Sequence, residues 1–145
     1  RSCAKNEPGC LQTDRAMATA ANAAYMAPWA LPTGTMPDVA AAQLRRALED
    51  EGASKVRVEP LADGRSRVTA SFAGGPFGTR VVADDVEFLL GGSAAAFRAA
   101  ASARGSLPFA SPDAATRRNV DRLTRVRDRL LASNGWRCID NSCNA

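Results

Sequence analysis

The 145-residue chain contains no histidine. That absence removes the side chain that most often acts as a general base near neutral pH, the commonest metal ligand, and every Ser-His or Cys-His pair. Lysine is nearly missing as well, with 2 against 17 arginines. No apolar run approaches the ~20 residues that a membrane-spanning helix needs, so the chain is expected not to cross a bilayer by itself. Phosphate loops, nucleophile elbows and dinucleotide fingerprints are all lacking, and Ser102 has no histidine to activate it. Carboxylates and arginines are what remain for chemistry. The chain is read as non-enzymatic, with no cofactor and no metal.

What is present fits one domain with a real core. Hydrophobic residues make up 46% of the chain, but 30 of them are alanine, so five phenylalanines, two tryptophans and the Val/Leu positions must carry the packing. Net charge is +4, too small to prove an acidic partner or a lipid surface. The chain begins with Arg1 rather than Met, which fits a processed mature form or part of a longer chain.

Four cysteines bracket the sequence: Cys3 and Cys10 at one end, Cys138 and Cys143 at the other. An even count reads as a disulfide framework with three possible connectivities. Two local bridges, Cys3–Cys10 and Cys138–Cys143, are favoured over cross-bridges that tie the ends together. A four-cysteine zinc site is the weakest alternative, because the spacings are poor matches to the usual short ones. Disulfides imply an oxidising compartment.

Residues 1–36 read as an irregular arm punctuated by prolines, with TDRAMATAANAAYM as a short helix at most and Trp29 free to cover a core edge. Thr35-Met36-Pro37-Asp38 marks a helix start, with Thr35 as cap, and Ala40, Leu44, Ala47 and Leu48 repeat at helical spacing up to the stop at Gly52. Four strand-like runs follow: KVRVE, RSRVTASF, RVVADDVEFLL and AAFRAAASAR. The turns between them fall at Asp63-Gly64, Gly74-Gly75-Pro76 and Gly91-Gly92. Ser111-Pro112-Asp113 opens a last helix running to about 132. The expected fold is α+β: a four-stranded antiparallel meander with the first helix and a long C-terminal helix packed on one face. The α+β domain would span 37–133 and a cysteine-bearing tail 134–145.

The acids of VVADDVEFLL carry the functional question. Strand alternation puts Val82, Asp84, Val86, Phe88 and Leu90 on one face and Asp85 and Glu87 on the other. If the first face is the core, Asp84 is buried and needs a partner. On the last helix Val120, Leu123, Val126 and Leu130 share one broad face, and Arg127 falls on it. Arg127 is therefore the expected partner of Asp84, with Asn119 adding a hydrogen bond. The rival reading, a carboxylate cluster for a hard cation or acid/base work, suffers because Asp84 and Asp85 point to opposite faces. Arg118, Arg122, Arg125 and Arg129 form a separate stripe. It reads either as a solvated face, partly neutralised by Asp121 beside Arg125, or as a docking surface for an acidic protein, with Asp85 and Glu87 also available to a partner. Nucleic acid is not expected, because no aromatics lie beside these arginines.

Three pieces of sequence resemble the uncharacterised family known as domain of unknown function 1499: Glu7-Pro8-Gly9-Cys10-Leu11, Asp84-Asp85-Val86-Glu87-Phe88, and Asn119 with Arg122, Leu123, Val126 and Arg127. Gly9 stands where that family usually has Asn. Its Ser/Arg-rich strand survives here only as Arg98, Ser102 and Arg104. Similar proteins occur in bacteria, often exported, and in plastids of algae and plants. The resemblance implies a compartment more than a chemistry. It points to an accessory or structural subunit, peripheral to a membrane and held by protein partners, most sharply a thylakoid-lumen subunit of a photosystem. A free-standing periplasmic or lumenal protein with a small ligand held between sheet and helices is the alternative, and a carboxylate-dependent enzyme the third.

Overall fold

The structure is a computed structural model, and it describes residues 2–7, 9–73, 83–102 and 112–139. Among the described residues, eight strands and three helices follow the order β1 (Leu11–Gln12), α1 (Arg15–Ala21), β2 (Ala24–Tyr25), β3 (Trp29–Ala30), α2 (Pro37–Asp50), β4 (Ser54–Pro60), β5 (Ser66–Ala73), β6 (Ala83–Gly91), β7 (Ala94–Ser102), α3 (Pro112–Asn134) and β8 (Arg137–Cys138). All eight strands join one mixed sheet whose main path is β2-β1-β7-β6-β5-β4. The class is α+β, but the expected four-stranded meander is not what forms. Strands β4 to β7 do pair antiparallel in succession, and the sheet then continues into segments read as arm and tail.

That extension rests on β7. Its one end pairs with β1, Gln12 opposite Arg98, and its other end with β3, Trp29 opposite Ala95. Strand β2 adds parallel to β1, and β8 closes on β3. The driving force is visible at Trp29, which is buried with its ring centroid 4.6 Å from Phe97 and 5.5 Å from Phe88. Trp136, from the tail, meets Trp29 edge-on at 6.4 Å and donates its indole N–H to Gln43. Aromatic burial of this kind is large per residue, so both ends of the chain are drawn onto the sheet.

The core lies between one sheet face and helices α2 and α3. Alternation in β5 sends Val68, Ala70 and Phe72 inward, and in β6 Asp84, Val86, Phe88 and Leu90. Helix α2 answers with Ala40, Ala41, Leu44, Ala47 and Leu48, and α3 with Leu123, Val126 and Leu130. Helix α2 starts on Pro37, but its N-cap is Met36 with no side-chain bond, so Thr35 does not cap it. Asp14 does cap α1, accepting from the Met17 N–H. The β4–β5 hairpin turns at Gly64, whose φ of +86° suits glycine.

On the opposite face, α1 and the Cys3–Cys10 bridge pack with Ala21 against Ala100 and cover the β1–β7 side. The bridge spans 7 positions, a short loop whose closure stabilises by about 2–3 kcal/mol in the chain-entropy picture. The expected bridge from Cys138 to Cys143 involves a residue outside the described ones, as do the expected turn at 74–76, the start of the third strand run and Arg104.

Candidate functional site

Asp84 is fully buried at the start of β6, on the core face that strand alternation predicts. Its partners, however, are Arg118 and Arg122. Arg118 donates from Nε and Nη2 to the two carboxylate oxygens at 2.7 and 2.9 Å, a bidentate fork. Arg122 donates from Nη1 to Oδ2 at 2.8 Å. Arg127, the expected partner, bonds Asp128, its own neighbour on the helix. Asn119 joins the network without touching Asp84. It accepts from Arg122 at 3.3 Å and donates to the Gly9 carbonyl at 2.9 Å. The Arg122 guanidinium also lies over the Phe72 ring, 4.3 Å from its centroid.

The arginine stripe is thus not one free face. Its lower half, Arg125 and Arg129, closes on Glu51 at the C-terminal end of α2, at 3.1 and 2.7 Å. Two carboxylates each hold two arginines one helical turn apart: Asp84 ties α3 to the sheet, and Glu51 ties α3 to α2. Asp121, expected beside Arg125, forms no ion pair among the described residues. Burial pushes the Glu51 carboxyl up, but hydrogen bonds from Arg129 and Arg125 and their charges outweigh it and hold the group below its usual value. Hydrogen bonding to Asp84 raises Arg118, against the opposing effect of burial.

Asp85 and Glu87 project from the other face, where Asp85 accepts from the Ser71 hydroxyl at 2.6 Å. The three acids therefore do not gather round one ion. Among the described residues the potential metal ligands that do cluster are Cys3, Glu7 and Cys10, and the two sulfurs are joined to each other. Glu7 instead pairs with Arg98, 91 positions away, a contact without any signal in the sequence.

Register builds a polar row across this outer face. Arg57 stands opposite Thr69, Thr69 opposite Glu87, Glu87 opposite Arg98, Arg98 opposite Gln12, and Gln12 beside Tyr25. Arg67 reaches Glu59 and Glu87 from the next row. Shallow clefts run along the row, all touching Glu87, with Arg57, Thr69, Ser71, Asp85 and Arg98 among their walls. Between sheet and helices, where the alternative reading puts a small ligand, core side chains pack around Leu44, Phe88 and Leu123. No helix among the described residues is long and apolar enough to cross a membrane. The Cys3–Cys10 bridge fits an oxidising compartment. Comparison of the chain with family models, with curated proteins and with solved structures finds no match.

Proposed function

We propose that this protein is a non-catalytic accessory subunit of a larger assembly in an oxidising compartment, docking through the outer face of its sheet. The observation that carries the reading is the row Arg57, Thr69 and Glu87, which helices α2 and α3 leave uncovered because they pack on the other face, and which ends at Arg98 where Glu7 covers it. Charges of alternating sign at fixed register suit a protein surface of complementary pattern, where they set orientation and encounter more than raw affinity. The acid that a catalytic reading would most need, Asp84, is held by two arginines and shut away from solvent. The resemblance to domain of unknown function 1499 supplies the most specific form of the reading, a peripheral thylakoid-lumen subunit of a photosystem, with a bacterial periplasmic setting as the other.

The experiment is native mass analysis of gently solubilised source membranes. The reading expects comigration with a large complex, weakened when Arg57 and Glu87 are charge-reversed together. A free species near the 15.2 kDa chain mass would sink it. The alternative small-ligand reading draws support from one observation, the clefts around Glu87 on the outer face.

A further inference from the structure

We propose that Arg118 and Arg122 form a binding site for a small oxyanion, a carboxylate or phosphate group. Charge accounting carries the argument. Both guanidiniums bond the same Asp84 oxygen, at 2.7 and 2.8 Å. One carboxylate cannot balance two guanidinium charges, which are permanent under ordinary conditions. The cluster keeps a surplus of one positive charge.

Nothing else among the described residues cancels that surplus. Asp85 leaves the strand on the opposite face and is bonded to Ser71. Asp121 is exposed and makes no ion pair there. The Phe72 ring and the Asn119 side-chain oxygen contribute dipoles to Arg122 but no charge. The Glu51 clamp has the same two-to-one stoichiometry, yet its arginine side chains are 57% and 48% exposed, and water and salt serve as their counter-charge. At Asp84 the arginine side chains are 33% and 10% exposed, and the carboxylate 0%. Solvent screening is much poorer here, so an anion is held more strongly.

The donors for it are present. Arg118 Nη1, and Arg122 Nε and Nη2, have no hydrogen-bond partner among the described residues. The Arg118 side chain, 33% exposed against 10% for Arg122, is the way in. A guanidinium edge presents paired N–H groups at the spacing of two oxyanion oxygens, which selects carboxylate or phosphate over halide.

The test uses the whole parent chain, isotope-labelled, at low chloride. Arginine Nε–Hε signals are followed by NMR while inorganic phosphate is added, and separately acetate, with ionic strength matched by sodium chloride. The site expects saturable shifts at Arg118 and Arg122, with Arg125 and Arg129 unmoved. Arg118→Gln should weaken binding at least about tenfold, the loss of a charge-assisted hydrogen bond, and Arg125→Gln should leave it intact. Saturation by phosphate alone assigns a tetrahedral ligand, and by acetate a planar one; either upholds the site. Shifts that grow without saturating, or that appear equally at Arg125 and Arg129, overturn it. So does binding that survives Arg118→Gln. Should Arg118→Gln fail to fold, the parent titration decides alone.

Discussion

The Asn119 side-chain amide donates to the Gly9 carbonyl over 2.9 Å, across 110 positions of sequence. This bond places the N-terminal segment against the helix that holds Asp84, because Asn119 also accepts from Arg122. The three pieces of sequence singled out around Gly9, Asp84 and Asn119 therefore meet in one buried network. A folding role follows first: strand β6, helix α3 and the turn before β1 are each positioned by the other two.

Gly9 is the tightest point. Its φ is +64°, and a Cβ there would lie 3.1 Å from the Ala115 Cβ and 3.1 Å from the Asn119 Nδ2. Gly9→Ala should cost on the order of 2–4 kcal/mol, about 1–2 from the left-handed backbone and the rest from crowding. Gly34→Ala is the control, since Gly34 has φ +77° with open space around it. Urea midpoints equal for the two variants would show that the close approach contributes nothing.

Removing Asp84 should leave two arginines facing each other. Asp84→Asn is expected to lower stability by about 3–5 kcal/mol, because it strands two arginines largely out of water; Arg122→Met leaves Asp84 paired with Arg118 and should cost less, about 1.5–3 kcal/mol for the lost charge-assisted hydrogen bond. Arg127→Met, which loses an ion pair to the exposed Asp128, should cost under ~1 kcal/mol. Thermal melting of the three variants checks the order. Arg127→Met melting below Arg122→Met would reverse the assignment.

That order is also where sequence reading and structure part. Strand alternation was enough to bury Asp84, because a period of two leaves no choice once Phe88 and Leu90 face the core. The helix left a choice. Centring the apolar face of α3 on Val120, Leu123, Val126 and Leu130 brings Arg127 inward. Val120 is only half-buried, however, while Ala115 and Asn119 are buried. Centring on Asn119 sets Arg122 about 60° from the middle and Arg127 about 80° on the other side, and the rotation decides which arginine meets the sheet. The arm was illegible for another reason. Strands β1, β3 and β8 are two residues each, too short for any periodicity to register.

Trp29 tests whether that arm belongs to the fold. An arm ordered only by a partner would tolerate its loss. A core aromatic touching Phe88, Phe97 and Trp136 should not. Trp29→Ala is expected to cost about 3–5 kcal/mol in the isolated protein, read from the denaturation midpoint and from loss of amide protection in β7. Parent-like stability would make residues 29–30 a segment laid on the fold rather than part of its core.

The Glu51 clamp makes a pH prediction of definite sign. The folded-state carboxyl titrates below its usual value, since hydrogen bonds and charge from Arg129 and Arg125 outweigh burial. A depressed carboxyl binds fewer protons folded than unfolded, so its stabilisation is complete above the unfolded value and disappears as pH falls through the folded one. The raised Arg118 works in the opposite sense and in another range. Its contribution is fully present throughout acid and neutral pH, and declines only as strongly alkaline conditions approach the folded-state value. Arg118 therefore adds no slope on the acid side. Melting temperature followed from neutral to acid pH should fall more steeply in the parent than in Glu51→Gln, with the two curves converging at the acid end. Parallel curves would mean that Arg125 and Arg129 do not hold Glu51 in solution, and α3 would then be tied down by Asp84 and its core face alone.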